Sequence, residues 1–331
     1  MKKYNLYFLL TALLTGLFAS CSQEDMDGPK TNEPTGVTLS ASVDRSIQTR
    51  AVTMPNNYKL RYILEVWTTG DSPELKYRKE QLATDFSGVD FTFELTDAGN
   101  YNALLWADFV ISDHTSSTTK QTISGIEYDH YADSHYKTTD NLKTITRTTL
   151  GNMPSQGNDA FCACHAINKT TEAYSDNVQL VRPFGQINII EKNEEALAKV
   201  EQVKAVFNAP NGYNVENGMP TDETEATRYI SFILWDPSKN DCTANLFYDY
   251  IFAPSRGQTT LSEIKLTFTS NDENLQIRDF TIPPSMPVVR NNRTNLSGHI
   301  VSVSDAPSNS DKLSVTISDD WSSNPIDKSI D

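Results

Sequence analysis

Apolar residues in this chain recur at every second position, in runs too short for any element but a strand. Val37, Leu39, Ala41 and Val43 alternate with Thr38, Ser40, Ser42 and Asp44. Leu60, Tyr62, Leu64 and Val66 alternate with Lys59, Arg61 and Glu65, and Val89, Phe91, Phe93 and Leu95 with Asp90, Thr92 and Glu94. Asp97 to Asn100 then turns the chain into the apolar run Tyr101 to Trp106. Ile264, Leu266 and Phe268 lead through Ser270 to Asn274 into Leu275 and Ile277, which reads as a hairpin; Leu313, Val315 and Ile317 close the series. Successive side chains on a strand point to opposite faces, so strict alternation predicts antiparallel strands with one buried face. Only Asn193 to Gln202 predicts a helix: Asn193 can cap it, two glutamates open it, and Ala and Leu follow. Many short strands with one short helix predict an all-β protein built of sandwiches.

Two segments break the rhythm and suggest a division. Ser112 to Leu150 is rich in Thr, Ser, Asp, His and Tyr and reads as a long surface excursion on the first domain. Val178 to Pro183 is a strand ending at a proline, and Phe184 to Ile190 begins another. Proline cannot donate to a ladder, so Pro183 fits a strand edge or an interdomain crossing. The expected domains are 36–183 and 184–325, with the helix in the second; a chain of this length suits two cores better than one.

The N-terminus carries an address. Lys2 and Lys3 precede an apolar run from Leu6 to Phe18 and then Ala19-Ser20-Cys21, the pattern of a bacterial lipoprotein signal over residues 1–20. The run is short of the roughly 20 residues that span a bilayer. Acylation of Cys21 would hold the protein on a membrane, since several acyl chains anchor where one does not. Residues 21–35 are polar and contain Gly and Pro, as a flexible tether does. Glu24, Asp25 and Asp27 directly behind the lipid resemble the signal that sends Bacteroidetes-type lipoproteins to the outer face of the outer membrane.

The chain has net charge −15, which becomes −17 once Lys2 and Lys3 leave with the signal. No basic cluster interrupts it, which argues against nucleic acid and anionic lipid as partners. Beyond Cys21 the cysteines are Cys162, Cys164 and Cys242, and either of the first two could pair with the third. Cys162-Ala163-Cys164-His165 lacks the second half of a structural zinc site, and alternation would turn His165 away from both thiols, so no metal is expected. Asp129 to Tyr136 holds two histidines, two aspartates and two tyrosines, with Asp113-His114 nearby. Acid–base or metal chemistry could use such a set. With no second cluster, nucleophile motif or phosphate loop, it reads instead as a polar surface loop, and neither catalysis nor a cofactor is expected. Tyr128, Tyr131, Tyr136 and Trp67 are candidates to stack on sugars, whereas Trp106 within an apolar run reads as core.

Several motifs in order resemble a family. Asp44-Arg45-Ser46-Ile47-Gln48-Thr49-Arg50-Ala51, Tyr101-x-x-Leu104-Leu105-Trp106-Ala107-Asp108, Val178-x-Leu180-x-Arg182-Pro183-Phe184, Pro287 to Gly298 and Val315-x-Ile317-x-Asp319-x-Trp321, behind a lipobox, look like the fimbrillins, lipoprotein subunits and accessory proteins of Bacteroidetes fimbriae. The resemblance implies two tandem transthyretin-like Greek-key sandwiches acting in fimbria assembly or cell adhesion. In polymerising members an arginine-specific protease removes the lipid and first strand, and a strand of the next subunit fills the groove. Here that implies removal of the strand bearing Val37, Leu39, Ala41 and Val43, by a cut after Arg50 or Arg45, with other fimbrial subunits as partners. The alternatives are a glycan-binding surface lipoprotein and a structural envelope protein with no ligand.

Overall fold

The computed structural model describes residues 35–44, 54–148, 156–231, 245–284, 286–302 and 313–318, and almost all of their regular structure is β. The first unit is a sandwich of two sheets. One sheet has β1 (Gly36–Val43) in the middle, parallel to β11 (Tyr174–Leu180) and antiparallel to β4 (Val89–Glu94). The other runs β10 (Ala160–Lys169), β5 (Gly99–Ile111), β2 (Tyr58–Thr68), β3 (Leu75–Ala83). Between them lies a core of alternating residues, including Val37, Leu39, Tyr62, Leu64, Phe91, Ala103, Leu105 and Phe109.

The second unit repeats this order. β12 (Phe184–Glu191) lies between β15 (Asn245–Phe252), antiparallel, and β20 (Arg293–Gly298), parallel. The facing sheet pairs β18 (Phe280–Ile282), β17 (Ile264–Ser270), β13 (Val200–Asn214) and β14 (Met219–Ser231). Thus β12 stands where β1 stands, β20 where β11 stands, and β13 where β2 stands. β21 (Ser314–Ser318) adds a strand beyond β20, and β16 (Gln258–Thr260) pairs β19 (Pro287–Val289). Ile187, Ile189, Val203, Phe247, Leu266 and Leu296 belong to its core.

Four expectations need correction. The sandwiches are not purely antiparallel, because each first strand runs parallel to a late strand, a pairing fixed by the crossover and invisible to alternation. The helix is a single turn, α1 (Glu194–Leu197), capped by Asn193 Oδ1 from the amides of Glu195 (3.0 Å) and Ala196 (3.2 Å). Beyond it Val200 and Val203 are drawn into β13 because the sandwich core buries them. The return strand of the hairpin after β17 is β18, with Ile264 opposite Ile282, so Leu275 lies in the loop between them.

The largest correction concerns residues 112–148, which are no surface excursion. Strands β2 and β5 are buried on both faces over most of their length. Their second face packs on the hairpin β6 (Thr119–Ile123) and β7 (Ile126–His130) and on β8 (Tyr136–Lys137) and β9 (Ile145–Arg147). β9 pairs in turn with the end of β13, Tyr213 opposite Ile145. A third apolar cluster results: Ile63, Leu104, Trp106, Tyr136 and Leu142 meet Phe184, Tyr213 and Phe252 of the second unit. The segment is a clasp between the two sandwiches.

Candidate functional site

β1 lies in a groove. Val37, Leu39, Ala41 and Val43 point inward with at most 2% of their surface exposed, while the residues between them are half-exposed. Ladders run on both sides, Leu39 standing opposite Phe91 of β4 and Asp176 of β11. Fully burying a Val or Leu stabilises by about 1.5–3 kcal/mol, so this inward face holds the strand firmly. The outward face holds little, chiefly Ser40 Oγ donating to Asp90 Oδ1 at 2.7 Å. Gly88 (φ +93°) lies against the strand, and a Cβ there would collide with the Ala41 carbonyl. Without β1, the apolar floor beneath and the backbone edges of β4 and β11 would be bare.

The polar cluster of the clasp serves another purpose. Arg61, wholly buried, donates from Nε and Nη2 to both oxygens of Asp108 (2.9 and 2.8 Å) and from Nη1 to the Tyr131 carbonyl (2.8 Å). Arg78 donates to Glu65, to Glu80 (3.1 Å) and to the Thr138 carbonyl (2.8 Å), and its guanidinium lies over the Tyr128 ring. His130 Nδ1 is 3.0 Å from Glu80, and Asp133 meets Arg61 at 3.0 Å while accepting from Thr138. Burial pushes the Glu80 carboxyl up, but the His130 hydrogen bond and the charges of Arg61 and Arg78 outweigh it and hold Glu80 below the usual carboxylate range. Burial likewise drives the Asp108 carboxyl up, opposed by the Arg61 fork. At His135, half-buried against Tyr58, burial pushes the imidazole below its ordinary range.

These groups bind each other and the clasp backbone, so the expected polar surface loop is in fact an internal brace. His130 and Tyr136 are buried, and Tyr131 is half-buried. Tyr128 and Trp67 are also buried, which removes them with Tyr136 as open platforms for sugars; Trp106 is core. Alternation did not reveal that Arg61 and Glu65 are buried, because a paired interior charge and a solvated one occupy the same position in the pattern.

Cys162 is a buried free thiol and Cys164 an exposed one. His165 turns to the other side, where Nε2 lies 3.1 Å from the Tyr174 hydroxyl and 3.2 Å from Asp176. Among the described residues no group of three or more His, Cys, Asp or Glu is placed to hold a metal ion. Cys21, Glu24, Asp25, Asp27, Arg45, Arg50 and Cys242 lie outside the described residues.

β11 leads into β12 through Val181, Arg182 and Pro183. Arg182 forks onto Asp159 with Nε–Oδ1 at 2.8 Å and Nη2–Oδ2 at 2.5 Å, both side chains buried. Arg290 Nε, from the second unit, donates to the Arg182 carbonyl at 2.6 Å, and the amides of Ala253 and Asn291 bind the carbonyls of Pro183 and Phe184. The crossing strand is therefore fastened on both flanks.

A family model described as a family of unknown function (DUF6562) matches residues 29–330, and the chain belongs to that family. No curated protein matches it. Among solved structures it is similar to the tip fimbrial protein Mfa3 of Porphyromonas gingivalis with C-terminal truncation: 10% identity over 86% of this chain and 98% of that one, TM-score 0.42. It is also similar to a fimbrial assembly protein of Parabacteroides distasonis: 10% identity, 86% and 94% covered, TM-score 0.39. A third is a candidate polysaccharide-binding protein of Bacteroides thetaiotaomicron: 9% identity, 71% and 76% covered, TM-score 0.44.

Proposed function

We propose that this chain is a surface lipoprotein of fimbrillin type, with domains over 36–183 and 184–325, that acts in fimbria assembly or cell adhesion by β-strand addition. One observation carries the reading: β1 is a central strand, buried on one face only, whose neighbours β4 and β11 would accept an extended chain in its place. The strand geometry carries this proposal, independently of the likeness to fimbrial structures. In this reading Cys21 bears the lipid, the acids behind it direct the protein to the cell surface, and a cut after Arg50 or Arg45 frees β1.

The other arginines bear on the test. Arg61, Arg78 and Arg182 are buried, and Arg147 is tied to Asp249 and the Tyr250 carbonyl, whereas Arg256 and Arg278 lie exposed on loops of the second unit. Limited digestion with an Arg-specific protease should cut after Arg50 or Arg45 first, and the trimmed protein should form oligomers that survive detergent at room temperature and dissociate on boiling. A first cut after Arg256 or Arg278, or within 112–148, would remove the motive for processing. A trimmed protein that stays monomeric at high concentration would sink strand addition.

A further inference from the structure

A cleft of about 470 Å³ opens where the two units meet, away from β1. One wall is β10 at Cys162 and Cys164, another the turn after β13 with Tyr213 and Asn217, and the rest come from Ser255, Arg256 and Arg290. In a chain of net charge −15, this cleft gathers two arginines that no carboxylate pairs with among the described residues. Arg290 is half-buried, and its donors reach only the carbonyls of Arg182, Cys162 and Val181 and the Cys162 sulfur. The buried Arg61, Arg78 and Arg182 each have a carboxylate partner instead. Glu216 at the rim is already taken up by Lys143 at 3.0 Å and Asn102 at 3.4 Å.

Two further features point to a ligand. Tyr213 is wholly buried, and its hydroxyl finds no oxygen or nitrogen partner, facing only the Cys162 thiol. A buried hydroxyl without a good partner costs free energy that a ligand can return. The walls are also preformed: Gly218 (φ +67°) lets the turn press against Ser255, whose amide donates to the Gly218 carbonyl at 2.7 Å. A pocket that needs no ordering spends less of its binding energy on itself.

We propose that this cleft binds an acidic saccharide of about one or two rings, a size typical of pockets of this volume. Its carboxylate would meet the guanidinium fork of Arg256, which is weakly hydrated and matches a carboxylate, and the Nη1 donor of Arg290, whose Nε and Nη2 are already engaged. Its hydroxyls would face Asn217, Ser255 and Tyr213. The site is independent of strand exchange, because β1 lines none of it.

The test uses the full chain carrying Cys21→Ser, titrated calorimetrically with digalacturonate, with the neutral galactose disaccharide and with inorganic phosphate. Digalacturonate should bind saturably, at least about tenfold more tightly than either other probe, and should slow alkylation of Cys164. The attraction should weaken as salt shortens the screening length. Arg256→Ala, at the rim, should leave the melting temperature unchanged and weaken binding about tenfold. Absence of saturable binding, equal affinity for the neutral disaccharide, tighter binding of phosphate, or indifference to Arg256→Ala would each overturn the proposal.

Discussion

β1 and β12 hold the same place in the pairing order of their sheets, each flanked by one parallel and one antiparallel neighbour, yet they are held in different ways. β1 is buried on its inward face only, and its outward face is serine and threonine. β12 is buried on both faces, and on the face opposite Ile187 and Ile189 its polar side chains bond to each other and to β20: Asn188 to Asn295 at 2.6 Å, Gln186 to Asn188 at 3.1 Å. Glu191 accepts from the amides of Ile300 and Val301, both at 2.7 Å. β12 also continues from β11 through Arg182 and Pro183, whereas the residues after β1 carry Arg45 and Arg50 in the sequence. Two strands with one topological role thus differ in whether they can leave: a one-faced strand can be replaced by another alternating segment, while a two-faced one would strand polar groups on both sides.

The sharpest way to break this contrast is at the crossing. Arg182→Ala would leave Asp159 buried without its fork, at a cost of about 3–5 kcal/mol in urea unfolding. Arg182→Met with Asp159→Leu should recover most of that. A loss below about 1 kcal/mol for Arg182→Ala would show that β12 is no better fastened than β1.

Next come the two inward faces. Leu39→Ala in β1 and Ile189→Ala in β12 should each cost about 2–4 kcal/mol, as large-to-small core changes do. Only the first should hasten loss of β1 after cleavage, read by the rate of oligomer formation. Equal acceleration by Ile189→Ala would erase the distinction.

Acid should separate the units further, because the charged brace belongs to the first. Glu80 is held below the usual carboxylate range in the fold, so its contribution is present above the ordinary carboxylate pKa and is lost as pH falls below it. His135 is pushed below its ordinary 6.5, so the fold favours its neutral form, and this contribution also fades as pH drops through the range below 6.5. The signs of Glu80 and His135 agree, whereas Asp108, raised by burial, stabilises as pH falls and offsets part of the Glu80 loss. The first unit should therefore melt earlier at pH 5.5 than at pH 7, with a smaller further step at pH 4. His135→Gln should flatten the first step only. Melting that starts in the second unit at low pH, seen by amide exchange, would refute the assignment.

The smallest expected effect lies on the outward face of β1. Ser40→Ala removes an exposed bond to Asp90 and should change stability by no more than about 0.5 kcal/mol. A loss above about 1.5 kcal/mol would mean that this face anchors the strand after all.

The sequence alone determined where most strands lie and which way their apolar side chains point, because alternation is a local property that each run of five to ten residues carries by itself. Val37 to Val43, Leu60 to Val66 and Ile264 to Phe268 were legible for that reason. What alternation cannot report is which distant segment covers the other face. Arg61 and Glu65 sit at polar positions of their pattern, and only the arrival of Asp108, Arg78 and residues 128–142 turned them from a solvent face into a buried brace. The parallel partner of β1 lies more than a hundred residues away, at Tyr174 to Leu180. The cleft at Arg290 is assembled from four separated stretches of chain. Such features are set by long-range packing, whose energies depend on pairs of residues rather than on any one of them, and so only the tertiary structure could decide them.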